Sequence, residues 1–572
     1  MNKRISLYVS GLVLCSLLAG CTNSSKTADA LATVGARPAV YNVRTFGAKG
    51  DGTTIDSPAI NKAIEAANAD GGGTVLFPPG TYLCFSIHLK SNVCLSLDQA
   101  ATILAADNPL EADAPGYDAP EPNQWDPYED FGHSHWHNSL IWGENLENIS
   151  IVGLGRIDGK GLTSGGNPRN RRGAATRRSA TQITEADFPA NPVLPATLPA
   201  TRGKFGYPGR DTLPAGIGNK SIALKLCRNV VFKDFTIYRG GHFGILATGV
   251  DNWTLSNIKI DTNRDGVDID CCRNVRMSDC SVNSPNDDGI CPKSTYALGE
   301  NRPCENITIT NCQVSGWQLG SFLDGTYKER VDREGRPGGP GTGRIKFGTE
   351  SNGGFKNITI SNCVFDTCRG FALETVDGAL LEDIAISNIT MRNIGNSPIF
   401  MRLGARLRGP DGTEVGALRR IKISNIVCWM ANERTSSIIS GIPGHDIEDV
   451  TISNVRVYAK GGGTKEQATS QPAEKENAYP EPTMFGTMPA YGFFIRHVKG
   501  IELRDVEVSY IKDDARPAFV LEDVKGVEFN HVKAQHADDS PVFVLKNVRD
   551  FGTFHCPQFQ DLKKEKVESD KF

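Results

Sequence analysis

The 572-residue chain lacks the basic excess that nucleic-acid binding leaves: 62 Lys and Arg stand against 66 Asp and Glu, a net charge of −4. No Gly-Lys-Ser/Thr follows the run Gly71-Gly72-Gly73, so this is not a phosphate loop. The 15 cysteines form no CxxC pair and no His/Cys cluster of zinc spacing, and they are too sparse for a disulfide scaffold. Beyond the amino terminus no stretch is apolar enough to span a bilayer. Long helices are disfavoured as well, because each of the 60 glycines would cost about 1 kcal/mol against alanine in a helix interior. Short strands joined by many turns fit this composition.

The amino terminus reads as an export signal. Lys3 and Arg4 precede the apolar run Ile5 to Leu18, too short for a comfortable span, which ends in Leu18-Ala19-Gly20-Cys21. That ending resembles the bacterial lipobox, which implies lipidation at Cys21. The expected organisation is a signal over 1–21, a tether over 22–38, one β-helical domain with loop insertions over 39–560 and a polar tail over 561–572. The expected location is an exported lipoprotein on the periplasmic face or cell surface of the outer membrane, touching the membrane through its lipid only.

A strand unit recurs through most of the chain: Asn252-Trp-Thr-Leu-Ser-Asn-Ile-Lys-Ile, Asn274-Val-Arg-Met-Ser-Asp-Cys-Ser-Val, Asn306-Ile-Thr-Ile-Thr-Asn-Cys-Gln-Val and Asn357-Ile-Thr-Ile-Ser-Asn-Cys-Val-Phe. Variants begin near Asn229, Asp383, Arg420, Asp449, Gly500 and Gly526. Each alternates apolar and polar residues around a turn-forming Asn or Asp. A unit of about 22 to 26 residues cannot bury its apolar face alone, so neighbours must stack, which gives a parallel β-helix. A leucine-rich repeat is excluded by β-branched residues where leucines should recur. Cys280, Cys312 and Cys363 fall at one place in successive units and read as stacked small apolar side chains. Asp56 to Ile64, with Pro58 in its first turn, reads as a short helix plugging the amino-terminal end. Segments near 162–219, 296–303, 324–341 and 461–488 break the repeat and are expected to build groove walls. The first holds Arg169, Arg171, Arg172, Arg177 and Arg178, either a solvated loop or an attraction for an anionic substrate.

Carboxylates concentrate in two consecutive units, Asn263-Arg264-Asp265-Gly266-Val267-Asp268-Ile269-Asp270 and Asn286-Asp287-Asp288-Gly289-Ile290-Cys291-Pro292-Lys293. Aligning Val267 with Ile290 as inward residues sets Asp265 beside Asp288, about 4.8 Å away across one strand spacing, and Lys293 beside Asp270 as an ion pair. Like charges that close are unfavourable unless they share a proton or hold water. A turn-forming role for the aspartates stays open beside a catalytic one.

The passage Asn263 to Ser294 resembles the signature region of glycoside hydrolase family 28, the polygalacturonases and related pectin hydrolases, and the likeness runs over roughly 41–551. The resemblance implies a right-handed parallel β-helix and inverting hydrolysis of α-galacturonosidic linkages in an acidic polysaccharide or oligosaccharide, with no cofactor, metal or nucleic acid. Carried over by position, Asp287 would be the general acid, kept protonated by Asp265 and Asp288, which would activate water. Exo action is expected because bulky insertions could close the groove.

Two departures from the family stand out. Its usual Gly-His-Gly is Gly341-Thr342-Gly343 here, and its Arg-Ile-Lys position reads Ala372-Leu373-Glu374, while Arg344-Ile345-Lys346 lies one coil earlier. Substrate contacts are expected from Asn263, His242, Lys293, Thr342, Lys346, Glu374 and Arg402, with Arg406, Arg408, Tyr491, Arg496 and His497 as weaker candidates. His133, His135 and His137 read as an aromatic edge or as packed side chains before a zinc site. A lyase on the same solenoid, which would leave an unsaturated sugar, and a non-catalytic lipid-anchored glycan-binding protein are the competing readings.

Overall fold

A computed structural model describes residues 39–166, 168, 212–331 and 335–572. The signal and tether, Cys21 and the arginines from Arg169 to Arg178 lie outside them. Residues Val40–Phe572 form a single unit. Among the described residues no helix is long and apolar enough to cross a membrane.

The unit is a parallel β-helix. One coil shows the plan: strands Asp251–Ser256, Lys259–Asp261 and Asp265–Asp270 follow one another around the solenoid, and each pairs in parallel with its counterparts in adjacent coils. Inward residues such as Trp253, Leu255, Ile260, Val267 and Ile269 are fully buried. Turn chemistry explains the recurring asparagine. Asn229, Asn252, Asn274, Asn306 and Asn357 adopt φ between 52° and 58°, a left-handed conformation that Asn tolerates better than most residues. Their carboxamides form a ladder, each Nδ2 donating to the Oδ1 of the coil before at 2.8–3.3 Å. Cys280, Cys312 and Cys363 are buried, and all described cysteines are free thiols.

The helix α1 (Ser57–Ala69) buries Ile60, Ala63, Ile64 and Ala67 at the amino-terminal end. Its preceding residue, Asp56, gives no side-chain cap to the helix and instead accepts from the backbone N–H groups of Lys49 and Gly50 at 2.7 and 2.9 Å.

One run of strands carries the residues singled out above: β1 (Ser139–Glu144), β2 (Lys220–Lys225), β3 (Phe243–Thr248), β4 (Asp265–Asp270), β5 (Ile290–Lys293), β6 (Lys346–Phe347), β7 (Phe371–Thr375), β8 (Ile399–Leu403), β9 (Ser437–Ser440) and β10 (Phe493–Lys512). Among the described residues, two segments pack against it. Trp136, from the segment before β1, packs with Ala223, Phe243 and Leu246. On the other side Met484, Phe485 and Met488 pack on Ala372, Phe400, Ile438, Phe494 and Val520.

The polar segment 561–572 is not a loose tail. After β11 (Phe543–Phe554), the strand β12 (Leu562–Lys571) turns back antiparallel, with Val567 opposite Val548. A parallel solenoid ends in an unpaired strand edge, and a charged strand laid along it satisfies the backbone while discouraging further pairing.

Candidate active site

The expected register holds. Val267 pairs with Ile290, and the N–H of Gly266 donates to the carbonyl of Asp288 at 3.0 Å, so Asp265 and Asp288 occupy equivalent places in stacked coils. Oxygen atoms of Asp265 and Asp288 and the sulfur of Cys291 lie within 4.8 Å of one another. Asp287 leaves the same turn in another direction, with 23% of its side chain exposed and Arg264 Nη2 at 2.5 Å.

Arg344-Ile345-Lys346 occupies the coil stacked on Asp288, with Ile345 bridging to Ile290. Arg344 Nε donates to Asp288 Oδ1 at 2.8 Å, and Lys346 Nζ lies 3.2 Å from Asp288 Oδ2. Burial opposes ionisation of Asp288, but Lys346, Arg344, Lys293 and Arg369 outweigh it and hold the carboxyl below the usual range. Asp265 meets the reverse situation. Burial, then the carboxylates of Asp287 and Asp268, push its proton affinity well above that range, which Lys293 and Arg264 only partly offset. The expectation treated Asp265 and Asp288 alike, whereas their surroundings push the two proton affinities in opposite directions.

Several expected contacts change. Lys293 does not pair with Asp270, whose carboxylate accepts from Thr295 N and Oγ1 at 2.9 and 2.8 Å. Lys293 Nζ lies instead 3.2 Å from Glu350 and 3.9 Å from Asp268. Arg402 is not a substrate contact. It is 1% exposed and donates to Ser440 Oγ and to the carbonyls of Gly441, Glu474 and Lys475 at 2.8–3.2 Å, fastening the covering loop. Arg496 fastens the same loop through the carbonyls of Pro472 and Ala473. Tyr491 is buried, and His497 joins Asp523 and Glu474. Arg406 pairs with Asp377, and Arg408 with Asp130 and Glu350.

The remaining candidates stay near the carboxylates. Asn263 Oδ1 accepts from Asn286 Nδ2 at 2.6 Å in the turns that present Asp265 and Asp287. The N–H of Thr342 donates to the carbonyl of Pro285 at 3.1 Å, and Gly343 N donates to the Asp287 carbonyl at 2.8 Å, so this segment braces the Asp287 turn. Glu374 is fully buried 3.7 Å from Lys346, and burial raises its pKa to about 8. His242 is wedged between Phe131 and Phe243, with Nδ1 3.1 Å from the Ser164 carbonyl.

The three alternating histidines do not converge. His135 faces Asp126, His137 faces Glu144, and His133 Nε2 lies 3.2 Å from Asp268 Oδ2. Among the described residues, His133 with Asp265 and Asp268, and Asp265 with Asp288 and Cys291, could bring three donor atoms together here. Lys293, Arg344 and Lys346 already supply positive charge at the same carboxylates, which suits a metal ion poorly. Sequence reasoning missed Asp268, Glu350, Tyr479, Glu481 and the role of His133. Glu481 pairs with Arg344 and Arg369, and the Tyr479 ring lies 5.3 Å from Lys346 Nζ. Arg344 was missed as well, and aligning Ile345 with Ile290 as inward residues would have found it beside the expected Lys346.

Comparison with known proteins follows the same lines. Residues 40–108 match the family described as rhamnogalacturonase A/epimerase, pectate lyase-like, and 215–327 and 244–401 match the right-handed β-helix region. An exo-poly-α-D-galacturonosidase from Dickeya chrysanthemi is 28% identical over 407 residues, 67% of this chain and 60% of that protein. The chain thus spans somewhat under two thirds of that relative's length. A probable polygalacturonase from Vitis vinifera is 22% identical over 510 residues, 85% of this chain and 89% of that protein. The crystal structure of an exopolygalacturonase from Thermotoga maritima, 18% identical, superposes with a TM-score of 0.53 over 93% of this chain and 95% of its own, a likeness of fold. The chain is thus similar to polygalacturonases in sequence and matches right-handed β-helix proteins over part of its length.

Proposed function

We propose that this protein hydrolyses α-galacturonosidic linkages of pectin-type saccharides from chain ends. The observation that carries the reading is a set of three aspartates brought together by two stacked coils, with the proton affinity of Asp288 pushed down and that of Asp265 pushed up. Groups pushed apart in this way can serve as base and acid at one pH. Asp288 accepts a proton from the attacking water, whose oxygen bonds to the anomeric carbon. Asp287, half-buried and paired with Arg264, passes to the departing glycosidic oxygen a proton taken up from solvent, with Asp265, whose proton affinity is raised, beside it. Inversion of configuration is the expected outcome of the family resemblance. Arg264 and Arg369 keep 29% and 34% of their side chains open and are suited to a uronate carboxylate. The segments packed on both parts of this strand run support attack at a chain end. Export and lipidation at Cys21 belong to the same reading, and Cys21→Ser should release the protein from membranes.

The test is digestion of a panel of pectic oligosaccharides by the wild type and Asp287→Asn, with sugars followed by mass and unsaturated products by ultraviolet absorbance. Saturated monosaccharide released by the wild type and lost in the variant supports the reading. Absorbing products would replace it with a lyase. Binding without cleavage, unaffected by replacing the three aspartates, would leave a glycan-binding protein.

A further inference from the structure

Among the described residues no Arg or Lys pairs with Asp265, unlike Asp287 and Asp288, and the groups around it are unevenly balanced. Arg264 lies in the turn before it and pairs with Asp287. The coil above contributes Asp287, Asp288, Cys291 and Lys293; the coil below contributes His242, and its own strand Asp268. Asp288 already has Arg344 and Lys346. Lys293 sits closer to Glu350, 3.2 Å away, than to Asp268 at 3.9 Å, and Glu350 also takes Arg408 at 3.2 Å. Asp268 is fully buried, neither of its oxygens accepts a well-formed hydrogen bond, and its nearest cation is His133 at 3.2 Å.

His133 comes from the covering segment, not from the floor. It is 4% exposed, its ring stands edge-on to Phe243 at 4.8 Å, and its Nδ1 lies 3.3 Å from the Asp130 carbonyl. One donor atom each of His133, Asp265 and Asp268 lies within 4.8 Å of the others. Burial and the Lys293 ammonium work against a charged His133, but Glu350 and Asp268 more than compensate, so its proton affinity is raised above the ordinary range.

We propose that the buried His133–Asp268 pair is a positioning device that sets how tightly Asp265 holds its proton. Asp268 supplies the negative charge that keeps the proton on Asp265, and His133 limits that charge. The proposal rests on the hydrolase reading for its consequence in catalysis, but its physical content concerns the titration of one carboxyl. Removing the Asp268 charge makes Asp265 release its proton at lower pH; removing the His133 charge makes it hold the proton to higher pH. A pair that only braced the covering segment would shift neither.

The experiment is carbon-13 NMR titration of the Asp265 carboxyl in the full chain, identified by its loss in Asp265→Asn, in wild type, Asp268→Asn and His133→Gln. At this separation each charge is worth about one pH unit after screening. The expected result is a fall of about that size in Asp268→Asn and a rise in His133→Gln, with the limb of the kcat profile that follows Asp265 moving in the same directions while KM stays constant. Unchanged titration in both variants, or shifts of the same sign, overturns the proposal. Should Asp268→Asn fail to fold, the sign of the His133→Gln shift decides alone. Titrations that shift as expected in a protein inactive on every pectic substrate would uphold the device and refute the hydrolase reading.

Discussion

Asp265 and Asp288 are the same residue type at equivalent places in stacked coils, and their proton affinities are pushed in opposite directions. The Asp288 side receives Arg344 and Lys346 from the next coil, whereas the Asp265 side receives the carboxylates of Asp287 and Asp268, which Lys293 and Arg264 only partly offset. Burial penalises charge at both, so what distinguishes them is which side chains the adjoining coil and the covering segment bring near. A solenoid can therefore give one repeated residue two opposed proton affinities by varying only its neighbours.

The largest way to break this contrast is to remove the base. Asp288→Asn should lower kcat by about 10³-fold with little change in KM, measured on the released sugar. Stability should then separate the two aspartates by sign. The folded-state proton affinity of Asp288 is depressed, so its contribution is present above the unfolded value and lost as pH falls through the folded one. Asp288→Asn, which also leaves Arg344 and Lys346 short of a carboxylate, should cost about 2 kcal/mol at neutral pH. The affinity of Asp265 is raised, so its contribution is present only below the unfolded value and is lost as pH rises through the folded one. Asp265→Asn should accordingly stabilise the protein at neutral pH by about 1 kcal/mol or more while abolishing activity, measured by denaturant unfolding. The smallest effect on catalysis should come from Arg402→Met, which loosens the covering loop. It should lower the melting temperature and leave KM nearly unchanged, separating wall fastening from substrate contact.

The stacking of coils was legible because inward apolar residues alternate on both sides of each turn, and Val267 opposite Ile290 follows directly from that alternation. Ion pairing was not. Lys293 reaches Glu350, 57 positions further along, over the nearer Asp270, because an inserted loop separates residues that stacking brings together. Arg402 does point out of the core, as its alternation says, but no local pattern shows that the loop around Glu474 folds over it. The closing strand β12 was illegible for a related reason: charges at most of its positions resemble a solvated tail, and only the unpaired edge beside it makes a strand favourable.

The central claim is hydrolysis at this carboxylate cluster, and digestion of a pectic oligosaccharide in heavy-oxygen water tests it most directly. One solvent oxygen in the newly formed reducing sugar for each bond cut, absent in Asp287→Asn, is the predicted result. Products that carry a double bond and no solvent oxygen would contradict it.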